Sequence, residues 1–80
     1  MHARSVAVMR ITPKPEVLRD YMRAEDISRD ELARRIGVDR ATAYRVESGQ
    51  VTPSPKFIAG LMVLTGLKFE ALFEIVRDAA

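Results

Sequence analysis

The residues able to do chemistry in this chain are arginines. Ten of its 13 basic residues are Arg, and Arg29, Arg34, Arg35, Arg40, Arg45 and Lys56 crowd the central stretch. A guanidinium is a planar fork of donors that matches a phosphate, or the N7 and O6 acceptors of guanine, two bonds at a time. The composition removes most other chemistry. There is no Cys, which excludes disulfides, thiolate metal sites and a cysteine nucleophile together, and the one His is His2, beside the first residue. A catalytic constellation would then need carboxylates, Ser, Thr, Tyr or Lys at a telling spacing, and none is present. No enzyme activity, cofactor or metal site is expected. Net charge is only +2, so the basic character is local rather than global.

The stretch Ser28 to Gly49 must position these arginines. It reads as two short helices hinged at Gly37, with Leu32, Ala33 and Ile36, then Val38, Ala43 and Val46, forming one inward face on each side. Arg40, Tyr44 and Arg45 lie on the opposite face of the second helix. Ser28 followed three residues later by Glu31 is a capping box, and Ile27 with Leu32 forms its hydrophobic staple. Gly37 suits the left-handed end of the first helix, Asp39 the cap of the second, and Gly49 its stop. Two helices crossing at roughly a right angle around such a turn make the helix-turn-helix, whose second helix enters the major groove of DNA.

The remaining elements look like support. Eighty residues suffice for one small domain with a single core. Pro15 opens a helix carrying Val17, Leu18, Tyr21 and Met22 to about Glu25. Ser54 and Pro55 open another that buries Ile58, Leu61, Met62, Phe57 and Thr65 and stops at Gly66. A last helix from about Phe69 is expected to bury Leu72, Phe73 and Val76, with Lys68 a poor cap. The predicted fold is therefore all-α, a compact domain of five helices with a short N-terminal β-strand or arm. Residues 4–12 alternate in the manner of that strand. No other segment reads as a strand, so its expected partner is the same strand of a second copy. The other reading is an extended arm on the body or in a minor groove, with Arg4 and Arg10 near phosphates. The boundaries expected are an arm over 1–13 and a domain over 14–80, with the helix-turn-helix at 28–49 and its reading helix at 39–48. The opening residues hold too short an apolar run for a signal peptide, and no stretch approaches a membrane span, so a cytoplasmic protein is expected.

From Val17 to about Val76 the chain resembles the XRE-type helix-turn-helix family, which includes the lambdoid phage repressors and Cro proteins. The resemblance rests on Ser28-Arg29-Asp30-Glu31-Leu32-Ala33-Arg34-Arg35-Ile36-Gly37-Val38, then Arg40, Thr42, Val46 and Glu47-Ser48-Gly49. It continues in one register through Pro53-Ser54, Leu61, Gly66-Leu67 and Leu72-Phe73. It implies a lambda-repressor-like domain binding double-stranded DNA. By position, Arg40, Ala41, Tyr44 and Arg45 fall where the family reads bases, and Ser28, Arg29, Thr42, Ser48 and Gln50 where it holds phosphates. A basic residue near the end of the family's first helix pairs with the glutamate matching Glu47. Here that slot is Met22, leaving Arg19 or Arg23 as the expected substitute. Ala43 stands where the family has a branched apolar residue, so Tyr44 or Tyr21 is expected to fill that part of the core.

The resemblance implies a regulator of transcription, a repressor of phage or mobile-element type, acting as a homodimer on a palindromic operator. The dimer is expected to form through the N-terminal strand or the last helix. A second reading is the antitoxin or docking module of a toxin-antitoxin pair, with a toxin or other protein partner. No membrane partner is expected.

Overall fold

The computed structural model describes residues 8–78. Among the described residues there are five helices, α1 (Pro15–Glu25), α2 (Arg29–Ile36), α3 (Arg40–Glu47), α4 (Pro55–Thr65) and α5 (Phe69–Leu72), flanked by strands β1 (Val8–Pro13) and β2 (Phe73–Asp78). Expectations for His2 and Arg4 lie outside the described residues.

The helix boundaries are set by local chemistry. Ser28 Oγ accepts the amide of Glu31, Asp39 Oδ1 that of Thr42 and Ser54 Oγ that of Phe57, each at 3.1 Å. These bonds satisfy amides that the first turn leaves without an intrahelical acceptor. Gly37 closes α2 with a φ of 98°, where a side chain would be strained. The capping box is half formed. Glu31 turns its carboxylate away from the Ser28 amide to Arg34 and Arg35 instead.

One core joins the elements. Leu18 of α1, Leu32, Ala33 and Ile36 of α2, Ala43 and Val46 of α3, Phe57 and Leu61 of α4, and Leu72 and Phe73 are all buried. Helices α2 and α4 meet closely at Gly60, where an added Cβ would stand 2.7 Å from the carbonyl oxygen of Ile36. Tyr21, one of the two residues expected to fill the space beside Ala43, is half-buried against the core, its hydroxyl donating to the Leu64 carbonyl at 3.5 Å. Tyr44, the other residue expected there, remains 53% exposed.

The C-terminal end departs from the all-α expectation. Helix α5 stops at Leu72, and Phe73–Asp78 continue as β2, antiparallel to β1 with Ile11 opposite Ile75 and Pro13 opposite Phe73. Strand β1 thus finds its partner in its own chain and not, as expected, in the same strand of a second copy. Three physical causes converge. Lys68 gives α5 no side-chain cap, Ile75 and Val76 are β-branched, and the Lys14 amide donates to the Leu72 carbonyl at 2.8 Å, which aligns the two segments at the base of the ladder. Phe73 still enters the core, stacked on Phe69 with ring centroids 5.0 Å apart. Ile75, two residues on, shares the face of Phe73 but lies beyond the core and is exposed.

Candidate nucleic-acid interface

Helix α3 has two unlike faces. Ala43 and Val46 are fully inside, 0% and 1% exposed, while Arg40, Ala41, Tyr44 and Arg45 all face solvent. The four residues expected to read bases therefore share one accessible surface. The helix is pinned from behind by its two buried residues and at its N-terminus by Asp39. That carboxyl is held below the usual range, chiefly by bonds from the Thr42 hydroxyl and amide. Thr42 is thus already engaged with the cap through both its side chain and its backbone.

The cations on this surface differ in how committed they are. Arg40 Nη1 lies 3.0 Å from Asp30 Oδ2, a bridge from α3 back to the first turn of α2 with both side chains well exposed. Exposed pairs of this kind are weak, so the guanidinium can exchange one anion for another. Arg34 and Arg35 are tied to Glu31, and Arg35 also reaches Glu25 at 3.7 Å. Among the described residues Arg45 has no carboxylate within ion-pair distance.

The residues expected to hold phosphates form two groups at neighbouring helix ends. Ser28 and Arg29 begin α2, and Ser48 and Gln50 follow α3, with Gln50 Nε2 donating to Ser48 Oγ at 3.0 Å. The groups are joined by Arg29, whose Nε lies 2.8 Å from Glu47 Oε1. Neither Arg19 nor Arg23, the expected partners of Glu47, makes this pair. Met22 packs apolar surface against the core where the family has its basic residue, Arg23 turns to Asp20 at 3.6 Å, and the start of α2 lies beside the end of α3. Glu47 is only 12% exposed. Burial pushes its carboxyl above the usual range, and the charge of Arg29 and its bond act against that. Its second oxygen, Oε2, is buried without a hydrogen-bond partner among the described residues.

Sequence reasoning missed the two bridges between helices, because Asp30 and Arg40, and Arg29 and Glu47, are related only through the crossing of α2 and α3. It also missed the role of Arg10, whose Nη1 donates to the Gly49 carbonyl at 2.7 Å and ties β1 to the exit of α3. A cleft of about 170 Å³ opens between α1, α2 and α3, with Arg19, Met22, Arg29, Tyr44, Glu47 and Ser48 on its walls. No helix among the described residues is long and apolar enough to cross a membrane.

Two capped helices around a left-handed glycine, the second with a buried inner face and a cationic outer one, define a helix-turn-helix. Residues 16–74 match the helix-turn-helix domain family, and the chain belongs to it. It is 30% identical over 56 residues to an uncharacterised HTH-type transcriptional regulator of Methanocaldococcus jannaschii, MJ0272, covering 70% of this chain and 85% of that one. It is 36% identical over 66 residues to another of Bacillus subtilis, YvzC, covering 82% of this chain and 86% of that one. No solved structure matches the chain.

Proposed function

We propose that the protein is a sequence-specific double-stranded DNA-binding regulator of transcription, with a lambda-repressor-like domain over residues 14–80, that represses as a homodimer on a palindromic operator. The observation that carries this reading is the division of α3, whose buried Ala43 and Val46 hold Arg40, Ala41, Tyr44 and Arg45 outward together. The names of its relatives as HTH-type transcriptional regulators support it.

In this reading α3 lies in the major groove. Arg40, at its N-terminus, forks onto guanine, Ala41 and Tyr44 touch thymine methyls, and Arg45 reaches a base or the backbone one turn further on. Ser28, Arg29, Ser48 and Gln50 hold phosphates and set the angle of approach. Arg40 exchanges Asp30 for the base at little cost because both groups are already hydrated. One reading helix covers half a site, and two copies place their helices about 34 Å apart along the duplex. The sheet offers the seam for the second copy, since Met9 and Ile75 are exposed on it.

The test starts from the DNA upstream of the protein's own gene, with selection from a random pool beside it. Arg40→Ala is expected to cost about 1–3 kcal/mol on the selected site and to relax preference at one base step. An unchanged binding profile removes Arg40 from the reading face. Failure of the unaltered protein to prefer any sequence over bulk DNA overturns the function.

A further inference from the structure

Lys56 aside, helix α4 is uncharged on every side, and a helix apolar all round is ordinarily covered all round. Phe57 and Leu61 face the core and Gly60 lies against the Ile36 carbonyl, yet the outer side is open. Ala59 is exposed there, and Val63 is 84% exposed. An open groove of about 410 Å³ runs between this side of α4 and the end of α2, with Arg35 and Lys56 on its walls and no carboxylate. None of the residues assigned to DNA lines it, nor do Met9 and Ile75 of the sheet.

Lys56, Ala59, Gly60 and Val63 are spaced i, i+3, i+4 and i+7, so they share one face of α4. Val63 is a knob, and the small Ala59 and Gly60 one turn earlier are a recess. Laid antiparallel on a copy of itself, the face seats each Val63 over the other's Ala59 and Gly60. The two-fold axis then falls at the level of Leu61, which brings Lys56 of one copy to Gly66 at the end of the other's α4. The charges suit that arrangement. Helix α4 has no acidic residue in its first turn and no basic one in its last, so its own side chains balance neither end of its dipole. Lys56 stands in that first turn, where its own helix disfavours a cation, and has no carboxylate within ion-pair distance among the described residues. At the C-terminus of the second α4 the same ammonium meets the end of a dipole that attracts it.

We propose that the outer face of α4 docks antiparallel on α4 of a second copy, a self-contact separate from the sheet that joins one homodimer to the next. It leaves the α3 surface open, so copies joined in this way remain able to hold DNA.

Sedimentation equilibrium of the Ile75→Glu protein, whose apolar sheet patch is charged, isolates this contact, and that protein is expected to pair. Adding Val63→Glu should weaken the pairing about ten-fold or more, since a carboxylate is then pressed against apolar surface. Adding Lys56→Glu should weaken it as well, while the melting temperature of the unpaired protein holds or rises, because an acid in the first turn suits α4's own dipole. The chain has no Cys, so disulfide trapping reads the register. In a mixture of the Ala59→Cys and Val63→Cys proteins each should crosslink to the other in preference to itself, and an added operator duplex should leave the crosslink in place. A monomeric Ile75→Glu protein, unchanged pairing with Val63→Glu or Lys56→Glu, a lowered melting temperature with Lys56→Glu, Val63→Cys crosslinking chiefly to itself, or trapping abolished by the duplex overturns the proposal. The DNA-binding function is judged separately, by the sequence preference of the unaltered protein, and stands or falls without this contact.

Discussion

Glu31, Asp39 and Glu47 all sit in the helix-turn-helix, and they respond to acid in opposite senses. Glu31 is held below the usual carboxylate range by its bonds to Arg35 and Arg34, and Asp39 by those from Thr42. Between the lowered and the ordinary values the folded chain binds fewer protons than the unfolded one. The stability these two supply is therefore present above the ordinary range and is lost as pH falls through their folded values. Glu47 is raised by burial. Its ionised form costs stability above its folded value, and that cost is recovered as pH falls toward the ordinary one. Replacing Glu47 by Gln removes the compensating group, so the melting temperature of Glu47→Gln is expected to drop more steeply than the parent's between neutral pH and about pH 3. Circular dichroism melts across that window check it, and parallel curves would show that Glu47 does not titrate between the folded and unfolded states. The residue types on the α3 surface could be read from the sequence because register on a short capped helix fixes which side chains share a face. The partner of Glu47 could not, since it depends on how the end of α3 comes to rest on the start of α2.

Helices α2 and α4 make the scaffold on which α3 is carried, and their separation is set by one missing side chain. At Gly60 the approach to the Ile36 carbonyl leaves no room for a methyl, and the obstacle is backbone, which cannot swing away. Gly60→Ala is expected to cost about 1–3 kcal/mol in urea unfolding, despite the better helix propensity of Ala. A stabilised variant would mean that α4 can slide along α2. Nothing in the sequence around Gly60 marks this contact, because an isolated glycine in an apolar helix is equally consistent with a tolerated interior residue. Caps were different. Ser28, Asp39, Ser54 and Gly37 act within three or four residues of themselves, and their positions in the sequence were enough to set where α2, α3 and α4 begin and where α2 ends. Helix α5 lies between these cases. Leu72, Phe73 and Val76 suit one helical stripe, but the β-branched Ile75 and Val76 suit a strand equally well, and the edge of β1 decided the matter.

For the molecule as a whole, the sheet turns two ends of the chain into part of the core. Phe73 is 2% exposed and belongs to the same buried cluster as Leu32, Val46 and Leu61. Phe73→Ala is expected to cost about 3–5 kcal/mol in urea unfolding. In a domain of this size that is a large share of the whole stability, so the variant should be partly unfolded at 37 °C. A loss under about 1 kcal/mol would show that the sheet and α5 are an appendage to a self-sufficient four-helix unit. A strand read from one end of a sequence cannot announce a partner more than sixty residues away when that partner is also a fair helix. The ladder has a mechanical corollary. Val8 faces Asp78 at its open end and Pro13 faces Phe73 at its base. A force applied across those outer residues peels the rungs one after another instead of shearing all six at once. Tension on the termini should therefore unzip the strands at low load, while α2 and α3 stay folded.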